Sequence, residues 1–325
     1  MKVPAFVRGS IAPTFTAFKE DRTLDDRGQR NLLDFMCAQG GVNAFFIRSG
    51  MGQMYTFDMD DVKQLTKNCC DHLGGRVPVI VGCNGVWNRD YGKLPEAAEF
   101  IAQGVELSKF SEDAGASGVV HTVPDAIAFN GAAEKEALFL RYYSTVCAAT
   151  KLPVFIYQPP TVAQAYHLTP GLLAQLADIG NLCGVKVSSP NGETIFDLCW
   201  ATREKDFAYI VGCETAFYAG LLAGAPAAIG QGTTINPKII NAVQNRFEAG
   251  DLAGALAAQA SVNRLCQVAN NPVDFFKAYA TEKGYPVGRT IRSISPNPYG
   301  HDAKPLSDAE YNAFKVILEE ELAQY

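Results

Sequence analysis

The sequence predicts an α/β fold, a (β/α)8 TIM barrel followed by a C-terminal helical extension. Short runs rich in β-branched and aromatic residues alternate with longer segments of helical periodicity, and Gly or Pro bounds the runs. Eight such pairs are the number that closes a barrel. The predicted strands are Ser10–Phe15, Val42–Arg48, Val77–Cys83, Ser117–Val123, Pro153–Tyr157, Cys183–Val187, Ala208–Gly212 and Ala227–Gln231.

Helical periodicity fills the intervals between these strands and continues beyond the eighth. Two helix starts have a capping side chain before a proline, at Thr169-Pro170 and Asn236-Pro237. Because three helices follow barrel closure, we expect a catalytic barrel over residues 8–249 and a helical subdomain over residues 250–325. The predicted helices are 26–39, 59–73, 95–114, 134–150, 170–179, 192–204, 214–223, 237–249, 251–269, 273–283 and 308–323.

The composition is that of a soluble protein that acts on small molecules. Apolar residues make up 48% of the 325, enough for a large core, and no apolar run is long enough to span a membrane. A net charge of −6 without a basic cluster argues against nucleic acid. The N-terminal segment lacks the apolar core of a signal peptide, and the scattered cysteines and histidines lack metal-ligand spacing. We expect a cytoplasmic protein without a metal.

Lys186 is the first candidate for covalent chemistry. It lies inside an apolar strand, and the strand before it ends in Tyr157. A buried lysine loses the hydration of its ammonium, which favours the neutral amine that attacks ketones. A phenol on the neighbouring strand transfers the protons of this reaction if both side chains point to the same end of the barrel. The pair therefore predicts a lyase that forms a Schiff base.

Five short motifs occur in a fixed order around these two residues. They are Gly184-Val185-Lys186, Tyr157-Gln158-Pro159-Pro160, Gly212-Cys213-Glu214, the glycine-rich Gly224–Gly230, and a tail from Asn271-Pro272 through Lys277 and Gly284 to Arg292. Over residues 8–300 this order resembles the dihydrodipicolinate synthase and N-acetylneuraminate lyase superfamily of pyruvate-dependent class I aldolases and dehydratases. The resemblance implies that Lys186 forms the Schiff base, that Tyr157 is the catalytic tyrosine, that no other cofactor is needed, and that the chain forms a homodimer or homotetramer.

The turn after the second strand departs from the superfamily pattern. Where the superfamily has two hydroxyl residues that hold the pyruvate carboxylate, this chain has the segment Ser49–Gln53. The backbone N–H groups of Gly50 and Met51 can still bind a carboxylate, because amide dipoles at such a turn favour anions. Ser49 offers a displaced hydroxyl. The resemblance thus predicts substrate binding by Ser49, Gly50 and Met51.

Two further departures concern the substrate. The arginine that dihydrodipicolinate synthases place after the tyrosine motif aligns with Val162, and the tyrosine they offer across a subunit interface aligns with Asp125–Ile127. A second carboxylate has no partner at Val162. A true dihydrodipicolinate synthase is therefore a poor match, and a sugar-acid or aromatic adduct of pyruvate fits better.

Arg48 and His121 are each open to two interpretations. Arg48 precedes the Ser49 turn, so it either pairs with a substrate carboxylate or hydroxyl or neutralises an internal acid such as Glu214. His121 lies near the end of the fourth strand, so it either faces the mouth of the barrel and contributes to specificity or is structural.

Three residues near the eighth strand and one long loop complete the candidates. Ile229 matches a superfamily position that lines the pocket through its backbone, and Gln231 and Thr233 follow a barrel strand, where substrates commonly bind. The connection Asn84–Pro95 is unusually long, so it either covers the barrel mouth, meets a neighbouring subunit, or is an ordinary surface insertion.

The predicted function is a Schiff-base lyase that cleaves or forms an aldol bond between a 2-oxo acid and an aldehyde. One alternative is a 2-keto-3-deoxy sugar-acid dehydratase, which uses the same lysine but releases water. Another is a catalytically degenerate barrel that binds a keto acid, which the lost hydroxyls at Gly50 and Met51 would suggest. Retention of both Lys186 and Tyr157 argues against that binder.

Overall fold

The structure is a computed structural model that describes residues 3–292 and 304–325. Eight parallel strands pair in sequence order, and β1 also pairs with β8, so the sheet closes into a barrel. This architecture confirms the predicted (β/α)8 fold with C-terminal helices. The strands are β1 Gly9–Pro13, β2 Ala44–Ile47, β3 Val79–Gly82, β4 Gly118–Thr122, β5 Val154–Gln158, β6 Leu182–Val187, β7 Ala208–Val211 and β8 Ala227–Ala228.

Twelve α-helices are present among the described residues, and most agree with the predicted segments to within a few positions. The predicted helix 214–223 instead begins as a 3-10 turn, Glu214–Ala216, before the α-helix proper. The helices are α1 Asp26–Gln39, α2 Met59–Leu73, α3 Ala97–Asp113, α4 Gly131–Ala148, α5 Pro170–Leu176, α6 Gly192–Thr202, α7 Phe217–Ala223, α8 Gln231–Ile235, α9 Pro237–Glu248, α10 Leu252–Val268, α11 Pro272–Glu282 and α12 Asp308–Leu322.

Successive side chains of the strands enter two different cores. Since side chains alternate along a strand, every second residue fills the barrel and the others pack beneath the helices. On β5, Phe155 and Tyr157 belong to the interior cluster, whereas Val154 and Ile156 belong to the outer one. Both faces of each strand are therefore buried, which explains their nearly continuous apolar sequences.

The end of the barrel differs from the prediction. Strand β8 has only two residues, and Gln231 begins the short helix α8 instead of ending the strand. The Gly230 N–H donates to Thr233 Oγ1 (3.1 Å), and the same hydroxyl lies within hydrogen-bond reach of the carbonyl oxygens of Gly230 and Ile11. These bonds turn the chain into a helix directly after Gly230. Five residues rich in Gly and Thr show little helical pattern, so the sequence did not predict α8.

One of the two predicted helix caps is confirmed and the other is wrong. The Leu172 N–H donates to Thr169 Oγ1 (3.3 Å) at the start of α5. Asn236 precedes Pro237 as predicted, but its side chain makes no capping bond, and neither side-chain polar atom has a partner among the described residues. Helix α8 ends at Ile235 and α9 begins at Pro237. Asn236 is therefore the single residue that joins two helices.

The C-terminal helices lie against the barrel. Helix α10 packs against α7, α8 and α9, and α11 contacts α1 and α8. The division at residue 250 stays a prediction. Residues 293–303, which include the last part of the region covered by the resemblance, lie outside the described residues.

No helix within residues 3–292 or 304–325 has the length and apolar character needed to cross a membrane. The cytoplasmic location and the homo-oligomeric state remain predictions.

Replacing Thr169 with Ala should lower the free energy of unfolding by about 1 kcal/mol, because it removes the hydroxyl that accepts from the first turn of α5. Asn236→Ala is the matched control and should cost less, because that side chain satisfies no helix N–H. Urea unfolding of both variants measures the difference. Equal losses would contradict the assignment of the caps.

Candidate active site

Lys186 and Tyr157 lie side by side at the carboxyl ends of β6 and β5. The two residues are direct partners in the parallel register, and their side chains are only 5% and 1% exposed. Lys186 Nζ lies 4.0 Å from the centroid of the Tyr157 ring and 5.9 Å from that of Phe46. The Phe46 and Tyr157 rings meet edge to face at 6.1 Å. The lysine head group is thus enclosed by two aromatic faces inside the barrel.

A cavity of about 320 Å³ opens above this pair. Its walls come from the carboxyl ends of the strands on the β5–β8 side of the barrel, from the turn after β2 and from α10. The lining residues are Met51, Tyr157, Pro160, Lys186, Ser188, Pro190, Gly212, Cys213, Glu214, Thr215, Gly230, Gln231 and Cys266. The structure therefore brings four predicted site residues together, Lys186, Tyr157, Met51 and Gln231.

The turn after β2 uses the Ser49 hydroxyl internally. The Gly52 N–H donates to Ser49 Oγ (3.1 Å), and this hydroxyl donates to the Thr14 carbonyl (3.4 Å). Ser49 is fully buried and does not line the cavity, so the predicted displaced hydroxyl is directed into the turn. By contrast, the N–H groups of Gly50 and Met51 have no acceptor in the part of the chain that the structure describes. Two backbone donors remain at this turn.

Gln53, the last residue of the same turn, binds the backbone of Arg292. Its φ of 64° lies in the left-handed region. The side-chain amide donates to the Arg292 carbonyl and accepts from the Arg292 N–H (3.1 Å). A carboxylate cannot both donate and accept in this way, so the neutral amide is required here. Gln53 therefore ties the turn to the C-terminal segment.

Arg48 does not take either predicted role. Its Nη1 donates to the carbonyls of Gly82 (3.0 Å) and Asn84 (2.7 Å), so the guanidinium binds the end of β3. Burial lowers the pKa of this guanidinium to about 10. Arg48 does not line the cavity, and Glu214 accepts instead from the Gly232 N–H (2.6 Å). The predictions of a substrate contact and of a pair with Glu214 are therefore not supported.

Glu214 is a cavity residue that the sequence prediction left out of the site. It is buried, and Cys266 Sγ lies 3.5 Å from its Oε1. A Cβ at Gly230 would overlap the Glu214 carboxylate, so the glycine is needed for close approach. The position of Glu214 directly after a barrel strand was the feature that could have identified it.

His121 and two of the residues near β8 have structural positions. His121 lies in the outer layer, where its ring nitrogens bond to Ser108 Oγ (2.9 Å) and Tyr142 OH (3.1 Å). Burial lowers the pKa of His121 to about 3. Ile229 packs in the barrel interior, its N–H donating to Val211, and Thr233 stabilises the β8–α8 corner. Of the two interpretations of His121, the structural one agrees with its position.

The loop after β3 folds onto the rim of the barrel. Arg89 is buried with a φ of 61°, and its guanidinium donates to Thr161 Oγ1 (2.5 Å), Tyr91 OH (2.6 Å) and Asp125 Oδ2 (3.3 Å). Tyr91 OH also donates to Asp125 (3.1 Å). Asp125 belongs to the segment that aligns with the interface tyrosine of dihydrodipicolinate synthases. The rim thus contains a buried, internally neutralised ion pair.

Residues 6–320 match the model of the dihydrodipicolinate synthetase family. The chain belongs to this family. The match confirms the family predicted from the five motifs, and with it the enzyme class, a class I aldolase or lyase of the dihydrodipicolinate synthase superfamily.

Relatives within the family have different names. The chain is 30% identical over 251 residues to a 4-hydroxy-tetrahydrodipicolinate synthase of Dechloromonas aromatica (strain RCB), covering 77% of this chain and 78% of that one. It is 26% identical over 323 residues to YagE of Escherichia coli (strain K12), provisionally named a 2-dehydro-3-deoxy-D-gluconate aldolase, with 98% and 99% covered.

Solved structures of relatives have the same fold. The crystal structure of YagE from E. coli K12 in complex with pyruvate superimposes with a TM-score of 0.79 at 24% identity and covers 98% of this chain and 99% of that one. N-acetylneuraminate lyase from Mycoplasma synoviae gives a TM-score of 0.77 at 18% identity, with 98% of each chain covered. At these identities the likeness establishes the fold alone.

The buried His121 should make stability depend on pH. Its folded-state pKa of about 3 lies below the usual value of 6.5, so the unfolded chain binds a proton that the folded chain does not. The resulting stability is fully present above pH 6.5 and is lost as the pH falls towards 3, at up to about 1.4 kcal/mol per pH unit. In urea titrations between pH 7 and 4, His121→Gln should show a shallower decline than the unmodified chain. Identical slopes would show that His121 does not titrate in this way.

Proposed function

We propose that this protein is a Schiff-base-forming lyase that acts on a 2-oxo acid through Lys186, by pyruvate-type aldol cleavage or condensation. The observation that supports the proposal is the position of Lys186. It lies at the carboxyl end of β6, directly beside Tyr157, within a cavity of about 320 Å³. Active sites of TIM barrels occupy this end of the barrel.

Lys186 and Tyr157 divide the first chemical step between them. The neutral amine of Lys186 adds to the C2 carbonyl of the 2-oxo acid to give a carbinolamine. Tyr157 supplies the proton with which the C2 hydroxyl leaves as water, and an iminium remains. The iminium accepts the electron pair of the breaking C3–C4 bond, while the Tyr157 phenolate takes the proton of the C4 hydroxyl, so an aldehyde and an enamine form. Protonation of the enamine at C3 and hydrolysis of the iminium then release the 2-oxo acid and restore the Lys186 amine. Condensation runs the same steps in reverse.

The Gly50 and Met51 N–H groups are the proposed partners of the substrate carboxylate. They have no acceptor within the described residues, and Met51 lines the cavity that contains Lys186. Backbone donors at a turn stabilise an anion through their dipoles even where a side-chain hydroxyl is absent. The turn therefore supports binding of a 2-oxo acid without the hydroxyls seen elsewhere in the superfamily.

The rest of the cavity favours a hydroxylated second substrate over a dicarboxylate. Val162 supplies no cation, and Arg89 at the rim is neutralised by Asp125. Glu214 and Gln231 instead offer acceptors and donors for hydroxyl groups on the cavity wall. We propose an aldehyde of the sugar type, in agreement with the name of YagE and not with a synthase that binds two carboxylates.

A sugar-acid dehydratase remains the alternative within this mechanism. Both reactions begin with the Lys186 iminium and differ only in whether a C–C or a C–O bond breaks next. A panel of 2-keto-3-deoxy sugar acids, assayed separately for pyruvate release and for loss of water without pyruvate, distinguishes the two. Pyruvate release supports the aldolase, and its absence with dehydrated product supports the dehydratase.

Borohydride reduction in the presence of pyruvate should add one pyruvate-derived mass to Lys186. Peptide mapping by mass spectrometry identifies the residue. Lys277 is the internal control, because burial lowers its pKa to about 7 yet its Nζ donates to the Thr290 carbonyl outside the cavity. Capture at Lys277, or no capture at all, would refute the proposal.

Pyruvate binding that persists in Lys186→Ala, with no turnover by the unmodified chain, would point to a keto-acid-binding barrel.

Replacing Glu214 with Gln should reduce kcat/KM for a polyhydroxylated aldehyde by about tenfold or more, because a hydrogen bond to a charged group contributes about 1.5–3 kcal/mol. Capture of pyruvate by borohydride should be unchanged. Glu193→Gln, at an exposed carboxylate in the first turn of α6, is the control. If Glu214→Gln affects a simple aldehyde without hydroxyls as strongly, Glu214 does not recognise hydroxyl groups.

A further inference from the structure

Tyr55 is a buried phenol inside the barrel that the mechanism above does not use. It lies in the 3-10 turn Met54–Thr56, directly after the turn that supplies the Gly50 and Met51 N–H groups. Its ring belongs to the same interior cluster as Phe46 and Tyr157. Tyr55 therefore packs in the same interior cluster as the two rings that contact the Lys186 head group.

The Tyr55 hydroxyl has no hydrogen-bond partner among the described residues, although it is buried. A buried phenol normally finds a partner, and an unsatisfied buried donor costs about 1–3 kcal/mol. The Arg89 guanidinium lies 5.0 Å from the Tyr55 ring centroid, and Arg89 Nε is likewise buried without a partner within the described part of the chain. Two neighbouring side chains thus each bury a donor that lacks an oxygen acceptor among the described residues.

Charged and titratable groups face Tyr55 from several elements. Burial raises the pKa of the Tyr55 hydroxyl well above its usual value, despite the opposing effect of Arg89. The phenol therefore retains its proton at neutral pH and acts as a donor. The groups that interact with it electrostatically are Arg48 after β2, Arg89 and Tyr91 in the loop after β3, Asp125 after β4, and Tyr157 on β5.

We propose that Tyr55 is a positioning residue for Tyr157, whose phenolate it stabilises by donating a hydrogen bond through one bridging oxygen of substrate or solvent. This role rests on the proposed function, because it requires Tyr157 to release a proton. That proton passes to the departing hydroxyl of the carbinolamine, which leaves as water. Tyr55 transfers no proton itself. Arg89, fixed by Asp125 and Thr161, holds the Tyr55 ring by packing a cation against its face.

The structure offers a matched control at Tyr209. Tyr209 on β7 is also buried, and its hydroxyl also lacks a partner among the residues described. Its ring, however, belongs to the outer cluster between the barrel and the helices. Tyr55→Phe and Tyr209→Phe therefore remove the same buried hydroxyl, and only the first removes it from the Tyr157 layer.

In steady-state assays of cleavage, Tyr55→Phe should lower kcat by about 10- to 100-fold, as expected for a lost hydrogen bond to a charged group. The KM for the 2-oxo acid substrate should change less than about twofold, because the carboxylate contacts remain. The basic limb of the kcat profile should move to higher pH, since Tyr157 must carry a proton to act and its phenolate loses a donor. Tyr209→Phe should retain the kcat and pH profile of the unmodified chain.

Incorporation of 3-fluorotyrosine at position 55 tests the same role without removing the hydroxyl, should Tyr55→Phe fail to fold. The fluorinated phenol is a stronger donor, so the basic limb should move to lower pH. Unchanged pH profiles in both variants, or an equal loss of kcat in Tyr209→Phe, would overturn the role of Tyr55. Borohydride capture at Lys186 separates the two proposals. Capture with a normal Tyr55→Phe profile rejects Tyr55 alone, whereas no capture in the unmodified chain rejects both.

Discussion

The parallel register between β5 and β6 is the constraint on which the site depends. It pairs Tyr157 with Lys186 and directs both side chains into the barrel, where the lysine Nζ lies 4.0 Å from the phenol ring centroid. If either strand slipped by one residue, its own side chain, Tyr157 or Lys186, would turn into the outer layer beneath the helices. Closure of the eight-stranded sheet fixes this register, because each strand is held by two neighbours. The fold and the chemistry therefore cannot be varied independently here.

The loops at the carboxyl ends of the strands differ between the two sides of the barrel. On the β5–β8 side, cavity residues such as Glu214 and Gln231 present polar groups to the space above Lys186. On the β2–β4 side, polar side chains mainly bind other residues of the same chain, as Arg89 binds Asp125. A buried pair of this kind contributes little net stability, but it fixes the loop that bears it. Specificity is consequently expected from the first side and geometry from the second.

The sequence was sufficient for features decided by local pattern and order. Eight strand-like runs predicted the barrel, and the ends of two of them predicted Lys186 and Tyr157 as neighbours. The sequence did not predict which residues, distant along the chain, bind a given polar side chain. Arg48 was expected near substrate, but the carbonyls of Gly82 and Asn84 bind its guanidinium. Glu214 was judged a possible partner of Arg48, whereas its carboxylate is held by the Gly232 N–H in a helix that the sequence did not reveal.

Four of the buried polar atoms without a partner in the described part of the chain belong to residues of β2–β4 loops and turns at the barrel mouth. Arg48 Nε, Tyr55 OH, Asn84 Oδ1 and Arg89 Nε are all buried without a partner in the described residues. At about 1–3 kcal/mol each, such groups together are comparable to the net stability of a whole domain. A protein tolerates such groups where a bound molecule compensates them or where function requires them. Arg48 and Arg89 both have a positive φ, and each is held there by partners in the protein, the Gly82 and Asn84 carbonyls for Arg48 and Asp125 and Thr161 for Arg89. The Tyr55 hydroxyl has no such partner among the described residues, which is why the proposed positioning role is assigned to it and not to the arginines.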